Sequence, residues 1–178
     1  NAIPAITTEN TRLAQTAGVE RVEFDLALST DPLFTFEIPL KTEKKSNLNK
    51  FNAAPRGKIP RSWWEIEFII PTEMQNHPGF PNAVDGTSEF FVITDDGFKF
   101  KCHVSGGNGP RFAKNFESSG DLKILGYWLK GKFLSCGIQD EGDFTTEDVL
   151  DKYGRDTVTF SNHGLPNIWH LDFSRSRN

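Results

Sequence analysis

"SNLNKFNAAPRGKIPRSWWEIEFII", residues 46–70, changes character at its tryptophan pair. Residues 46–61 are dominated by amides, cations and prolines, which favour turns and suit no regular element. From Trp64 to Ile70 apolar and acidic residues alternate: Trp64, Ile66 and Phe68 fall on one side, Glu65 and Glu67 on the other. That is the period of a half-buried strand, and it predicts a β scaffold that presents a cationic loop.

The same period recurs on both sides. Residues 22–28 ("VEFDLAL") and 33–40 ("LFTFEIPL") read as strands, with Pro39 confined to an edge or strand end because it lacks an N–H. Residues 71–88 form a proline-rich connection with one helical turn predicted before His77. Residues 88–105 ("SEFFVITDDGFKFKCHVS") read as a hairpin whose Asp96-Gly97 suits a tight primed turn. Residues 105–120 ("SGGNGPRFAKNFESSG") read as irregular throughout. A short amphipathic helix is expected in "DLKILGYWLKGKF", capped by Asp121, with Leu122, Leu125 and Leu129 on one face. A second is expected in "TTEDVLDKYG", started by Thr145 or Thr146 and stopped by Gly154. Two closing strands lie in "DTVTFSNHGLPNIWHLDF". The expected fold class is mainly β: a small barrel of about seven strands with two short helices.

Composition agrees, since 16 phenylalanines against one methionine suit packed strands better than a helical bundle. At 178 residues the chain is sized for one core. It begins at Asn1 without an initiator methionine, which reads as the interior of a longer polypeptide, and no apolar run is long enough to cross a bilayer. Cys102 and Cys136 have no zinc-ligand spacing and are expected as buried thiols in a reducing compartment. The formal charge of −4 argues against nucleic acid until its distribution is read. Residues 41–61 hold Lys41, Lys44, Lys45, Lys50, Arg56, Lys58 and Arg61 against Glu43 alone, and residues 97–116 hold Lys99, Lys101, Arg111 and Lys114 with no acid. Two local positive segments on an acidic body still make a local positive field.

Several chemistries lack their residues. None of His77, His103, His163 and His170 is followed by a lysine two positions on, so the His-x-Lys motif of two-histidine phosphodiesterases is missing. Glu43 and Lys45 imitate half of a metal nuclease motif inside a lysine-rich loop, where solvated charge is the simpler account. Asp95 and Asp96 suit a turn better than a metal. His103 and Cys102 are strand neighbours and point to opposite faces. "SGGNGP" lacks the Gly-Lys-Ser/Thr ending of a phosphate loop.

A binding signal remains. Asn47, Asn49 and Asn52 can pair with adenine edges, and Arg56 and Arg61 can grip guanine O6 and N7. Lys44, Lys45, Lys50 and Lys58 suit phosphates. A solvated, turn-rich loop is the alternative for these residues, and the second basic loop weighs against it. Trp63 and Trp64 can stack on bases or support the core.

"LNKFNAAPRGKIPRSWWEIEFIIP", "FFVITDDGFKFKC", "DVLDKYGRDTVTF" and "IWHLDFS" together resemble, in order and spacing, the C-terminal recognition domain of phospholipase D-like restriction endonucleases of the BfiI and NgoFVII kind. The resemblance spans roughly residues 33–174. It implies a DNA-binding pseudobarrel, shared with plant auxin-response factors, in which two loop arms embrace duplex DNA from the major-groove side. By position the first arm falls on residues 44–61, where Asn49, Asn52, Arg56 and Arg61 match the motif and Trp63 follows. The second falls on residues 103–118, with His103, Asn108, Arg111, Lys114 and Asn115; Arg111 stands where relatives carry a glycine-lysine pair.

The resemblance further implies that residues 1–20 are a leader or linker from an N-terminal nuclease domain and residues 21–178 the recognition domain. On that reading the chain alone is no enzyme, needs no cofactor or metal, and binds double-stranded DNA in a prokaryotic cytoplasm without membrane contact. Its other partner is the nuclease domain of the same polypeptide, and the parent enzyme is a candidate homodimer. Two other classes stay open: a metal-dependent nuclease around Asp95 and Asp96, and a protein- or sugar-binding module using Trp63, Trp64 and Trp128.

Overall fold

A computed structural model describes residues 10–23, 31–52, 61–81, 89–105 and 114–175. Among the described residues eight strands form one sheet: β1 Glu20–Arg21, β2 Phe34–Pro39, β3 Phe68–Ile69, β4 Glu89–Thr94, β5 Phe98–Ser105, β6 Asn115–Ser118, β7 Thr157–Asn162 and β8 Ile168–Asp172. Seven of them follow the order β2-β7-β8-β4-β5-β6-β3, and β1 pairs with β5. All pairings are antiparallel except β4 with β8. The two ends of this path, β2 and β3, contact one another, so the sheet curls into a nearly closed barrel. The mainly β pseudobarrel expected from the sequence is therefore the fold.

Alternation sets the core. In β5, Phe98, Phe100, Cys102 and Val104 are buried, while Lys99, Lys101, His103 and Ser105 face outward. Aromatic rings fill the interior: Phe160 stacks on Trp169 at 4.4 Å and meets Phe116 in a tilted contact at 5.3 Å. Pro39 ends β2 at the edge of the sheet path, as its missing N–H requires. No helix among the described residues is long and apolar enough to cross a membrane.

The described residues also form four short α-helices: α1 Thr11–Gln15, α2 Thr72–Gln75, α3 Ile124–Ser135 and α4 Glu147–Tyr153. The last has the caps expected of it. Thr146 accepts from the Val149 N–H, and Gly154 takes the left-handed conformation at φ 93°.

Several expectations are corrected. The β4–β5 hairpin turns through Asp95, Asp96 and Gly97, with the Gly97 N–H bonded to the Thr94 carbonyl. Only Gly97 has positive φ there, which makes a type I turn with a glycine bulge and not a primed turn. Residues 115–118, read as irregular, form β6. The strand expected over 64–70 is paired in the sheet only at Phe68 and Ile69. Before it the chain turns at Ser62, whose carbonyl accepts from the Glu65 N–H and whose hydroxyl accepts from the Trp64 N–H. Helix α3 is not amphipathic: Leu125, Gly126, Trp128, Leu129, Lys130, Gly131 and Phe133 are all buried, and Leu122 lies outside it, exposed. Asp121 accepts from the Lys123 N–H and lies two residues before the helix's N-cap, which is Lys123 itself. Cys102 is buried, but Cys136 is exposed. Most of the strand expected over 22–28 lies outside the described residues. Near the start of the described residues, Leu13 is fully buried in the core and α1 packs on α3.

Candidate nucleic-acid interface

The described ends of the chain that joins β2 to β3, residues 40–52 and 61–67, lie along the seam of the barrel. The chain leaves β2 at Leu40 and steps through three successive turns, in which the N–H groups of Ser46, Asn49 and Asn52 reach the carbonyls of Glu43, Ser46 and Asn49. A single 3₁₀ turn, Lys50–Asn52, ends this run. Leu40 and Leu48 tuck into the core beside Phe68 and hold the seam together.

Residues 139–145 form the footing for both ends of this loop. Asn49 is fully buried and its amide is spent inside the protein. Its Nδ2 donates to the carbonyls of Glu43 and Thr145, each at 3.1 Å, and its Oδ1 accepts from the Thr145 N–H at 2.9 Å. Phe51 lies against Phe144 at 5.4 Å. At the returning end Trp63 Nε1 donates to the Asp143 carbonyl and Trp64 Nε1 to Glu141. Asn49 and Trp63, both candidate DNA contacts, are thus buried fasteners of the loop; neither presents its polar group to a ligand. Asn49→Ala should cost about 2 to 3 kcal/mol, because it orphans the buried Thr145 N–H along with the loop carbonyls. Urea denaturation measures this, and an unchanged midpoint would remove Asn49 from its anchoring role.

Glu67 is the electrostatic centre of the loop's root. Sequence alternation places it in solvent, yet it is only 9% exposed. Its Oε1 accepts from Lys50 Nζ at 3.0 Å and from Arg61 Nη1 at 3.1 Å, with Asn47 Nδ2 at 3.5 Å from Oε2. Lys44, Lys45 and Asn52 remain exposed along the loop. Arg56 and Lys58 lie outside the described residues.

The second basic loop joins β5 to β6. Of its candidate residues, Asn108 and Arg111 lie outside the described residues. At its base, the Lys114 carbonyl accepts from the Ile70 N–H, which ties this loop to the end of β3, while the Lys114 side chain is exposed. The Asn115 Oδ1 is buried with no hydrogen-bond partner among the described residues. His103 bridges Ser119 at 2.8 Å and Glu117 at 3.1 Å across the β5–β6 pair.

The roots of the two loops share a groove of about 210 Å³, lined by Arg61, Glu65, Ile66 and Glu67 from the first and Ser105 and Glu117 from the second pair of strands, with Leu122. Burial and the nearby Glu67 push the Glu117 carboxyl upward, opposed by His103 and Arg61.

The acids and tryptophans of the other two classes are consumed elsewhere. Asp95 accepts from the Phe173 N–H and pairs with Lys132 at 2.8 Å. Asp96 accepts from Thr94 Oγ1 and Trp128 Nε1. These carboxylates clamp the hairpin turn to α3 and the C-terminal strand, and among the described residues no cluster of three metal-ligating side chains occurs. Trp63, Trp64 and Trp128 are each buried, so none of these three offers an exposed ring face to a sugar or peptide.

Three features could not be read locally: the footing at residues 139–145, the inward turn of Glu67, and Lys130, a lysine at helical spacing whose ammonium reaches the Trp63 carbonyl at 2.5 Å.

No match is found among curated proteins. A family model, the NgoFVII C-terminal B3-like DNA-binding domain, matches residues 26–164. That span runs from before β2 to beyond β7 and encloses both loops and the groove between their roots. The match covers most of the chain and six of the eight described strands, β2 to β7, and on it the chain belongs to the family of NgoFVII C-terminal B3-like DNA-binding domains.

Proposed function

We propose that this chain recognises a specific sequence of double-stranded DNA by inserting its two basic loops into one major groove, as the target-recognition domain of a Type II restriction endonuclease. The observation that carries the reading is the shared groove between the loop roots, which rest on strands β3, β5 and β6. Loops that diverge from adjacent roots on a rigid barrel can straddle base edges, and a major groove about 12 Å wide admits them. The acidic remainder of the chain leaves positive potential concentrated at the loops.

Roles divide by side-chain chemistry. Arg56 and Arg61 read guanine, and Asn47 and Asn52 read adenine or shape the loop. Lys44, Lys45, Lys58 and Lys114 neutralise phosphates. Asn108, Arg111 and Asn115 act from the second loop, beside His103. Phosphodiester hydrolysis belongs to an N-terminal nuclease domain of the same polypeptide, in a prokaryotic cytoplasm, and dimerisation of the parent enzyme runs through that domain. This chain alone binds without cutting.

Selection from a randomised duplex pool, followed by gel shift at two salt concentrations, tests the reading. Weak, sequence-independent binding or none would overturn it. Arg56→Ala is expected to weaken the preferred duplex by about 1 to 3 kcal/mol and relax discrimination at one base pair. Lys44→Ala should weaken all duplexes alike and lower the salt slope by about 1.

A further inference from the structure

Glu67 occupies an unexpected place for a DNA-binding surface, since a carboxylate repels phosphate. It sits at the root of the first loop and holds two of that loop's cations, Lys50 at 3.0 Å and Arg61 at 3.1 Å. In sequence, Lys50 precedes and Arg61 follows the stretch that carries Arg56 and Lys58. The side chain of Glu67 is 10% exposed, whereas those of Lys50 and Arg61 are 27% and 43% exposed. The carboxylate is fixed, and the cations are the partners able to leave.

Departure is unfavourable in itself. A carboxylate so poorly hydrated and stripped of its cations is a costly buried charge, and Glu117 lies near enough to oppose it further. Exchanging Glu67 for a backbone phosphate merely replaces one anion by another, while leaving that charge behind. A phosphate alone therefore gives Lys50 and Arg61 little reason to move. A matched base edge differs: it offers a bidentate, geometrically exclusive partner to a guanidinium, with the neighbouring loop contacts formed at the same time.

We propose that Glu67 is a specificity-determining residue, which keeps Lys50 and Arg61 from random-sequence DNA and releases Arg61 only at the matched site. This rests on the reading of the chain as a sequence-specific duplex binder. The residue acts by lowering non-specific affinity, the arrangement by which discrimination is raised without a new attractive contact.

The test uses the whole chain, the duplex enriched from a randomised pool and a scrambled duplex of equal length, with fluorescence anisotropy over a series of KCl concentrations. Glu67→Gln should bind the scrambled duplex about five- to tenfold more tightly at low salt, with a log–log salt slope steeper by about 1 to 2, because up to two further cations become available to phosphates. Its preference for the enriched duplex should fall correspondingly. Equal weakening on both duplexes with an unchanged slope would make Glu67 a structural brace and overturn the proposal. Lys50→Gln and Arg61→Gln give a second route that needs no change at Glu67. Each should leave the slope on scrambled DNA within about 0.5 of the unaltered chain, whereas Lys44→Gln lowers it by about 1. A loss of about 1 for Lys50→Gln or Arg61→Gln would overturn the proposal as well. If the unaltered chain enriches no sequence at all, the reading beneath the inference fails, an outcome distinct from a chain that selects its sequence but whose Glu67→Gln form keeps the same slope.

Discussion

Gly126→Ala is expected to lower the stability of the domain by about 3 to 4 kcal/mol, although alanine is the better helix former by about 1 kcal/mol. A Cβ at position 126 would stand 1.7 Å from the Trp64 carbonyl oxygen and 2.5 Å from its carbon. Both are backbone atoms, so no rotamer change relieves the overlap, and α3 must withdraw from the turn at residues 63–64. That helix also carries Trp128 and Lys132, which hold the β4–β5 turn through Asp96 and Asp95, and Phe133, which packs on Tyr153 and Phe173. Withdrawal therefore loosens one end of the barrel together with the returning foot of the first loop. Urea denaturation gives the stability change, and near-ultraviolet circular dichroism reports the Trp63–Trp64 pair, whose rings meet edge-on at 4.7 Å. A variant as stable as the parent would show that α3 does not bear on this turn. In binding assays the loss should fall on every duplex alike, since the footing and not a base contact is disturbed.

The barrel was legible because the pleat of a strand allots each residue to one side, so burial repeats at a short, local period. Strands β2, β4, β5, β7 and β8 all lie within the stretches their alternation marks out. Helix α4 was legible for a similar reason, as Thr146 and Gly154 act on their own neighbours. Position 67 shows the boundary of such reasoning. An acid at an alternate position reads as solvated, and only the approach of residues 47, 50 and 61 turns it into a buried hub. The tryptophan pair misled by the same logic: two adjacent indoles both demand burial and an acceptor, which a pleated strand cannot supply and a turn can. Helix α3 misled because its polar face packs against protein, with Lys130 satisfied by a carbonyl distant in sequence. The cationic character of both loops was plain from composition, while the anchoring of Asn49 depends on Thr145, a partner remote along the chain.

Stability should rise between pH 7 and 9 by a component that disappears in Lys130→Met. The Lys130 side chain is fully buried, and loss of hydration lowers its ammonium from the ordinary 10.5 to about 7. Because the unfolded chain keeps its proton to higher pH than the folded one, the folded state carries a penalty that is complete below about 7 and fades as pH rises toward 10.5. The Trp63 and Phe51 rings, 4.4 and 5.3 Å from the nitrogen, favour the cation and offset part of this. The remaining gain across the whole window is about 2 to 4 kcal/mol. Burial acts in the opposite sense on Cys102, whose thiol is pushed up, and on Tyr153, raised to about 12, so both erode stability at alkaline pH. Those two contributions are common to the parent and the variant, and the difference between their urea-denaturation curves isolates Lys130. At pH 7 the variant gains by removing a buried charge and loses the donor to the Trp63 carbonyl, so the two forms should lie within about 2 kcal/mol. With increasing pH the parent should draw ahead, since a neutral amine keeps the hydrogen bond and sheds the penalty. Parallel curves for the two proteins would mean that Lys130 holds one protonation state throughout. The outcome bears on the first loop directly, because the same nitrogen secures Trp63, and with it the foot from which Arg61 and Glu67 are positioned.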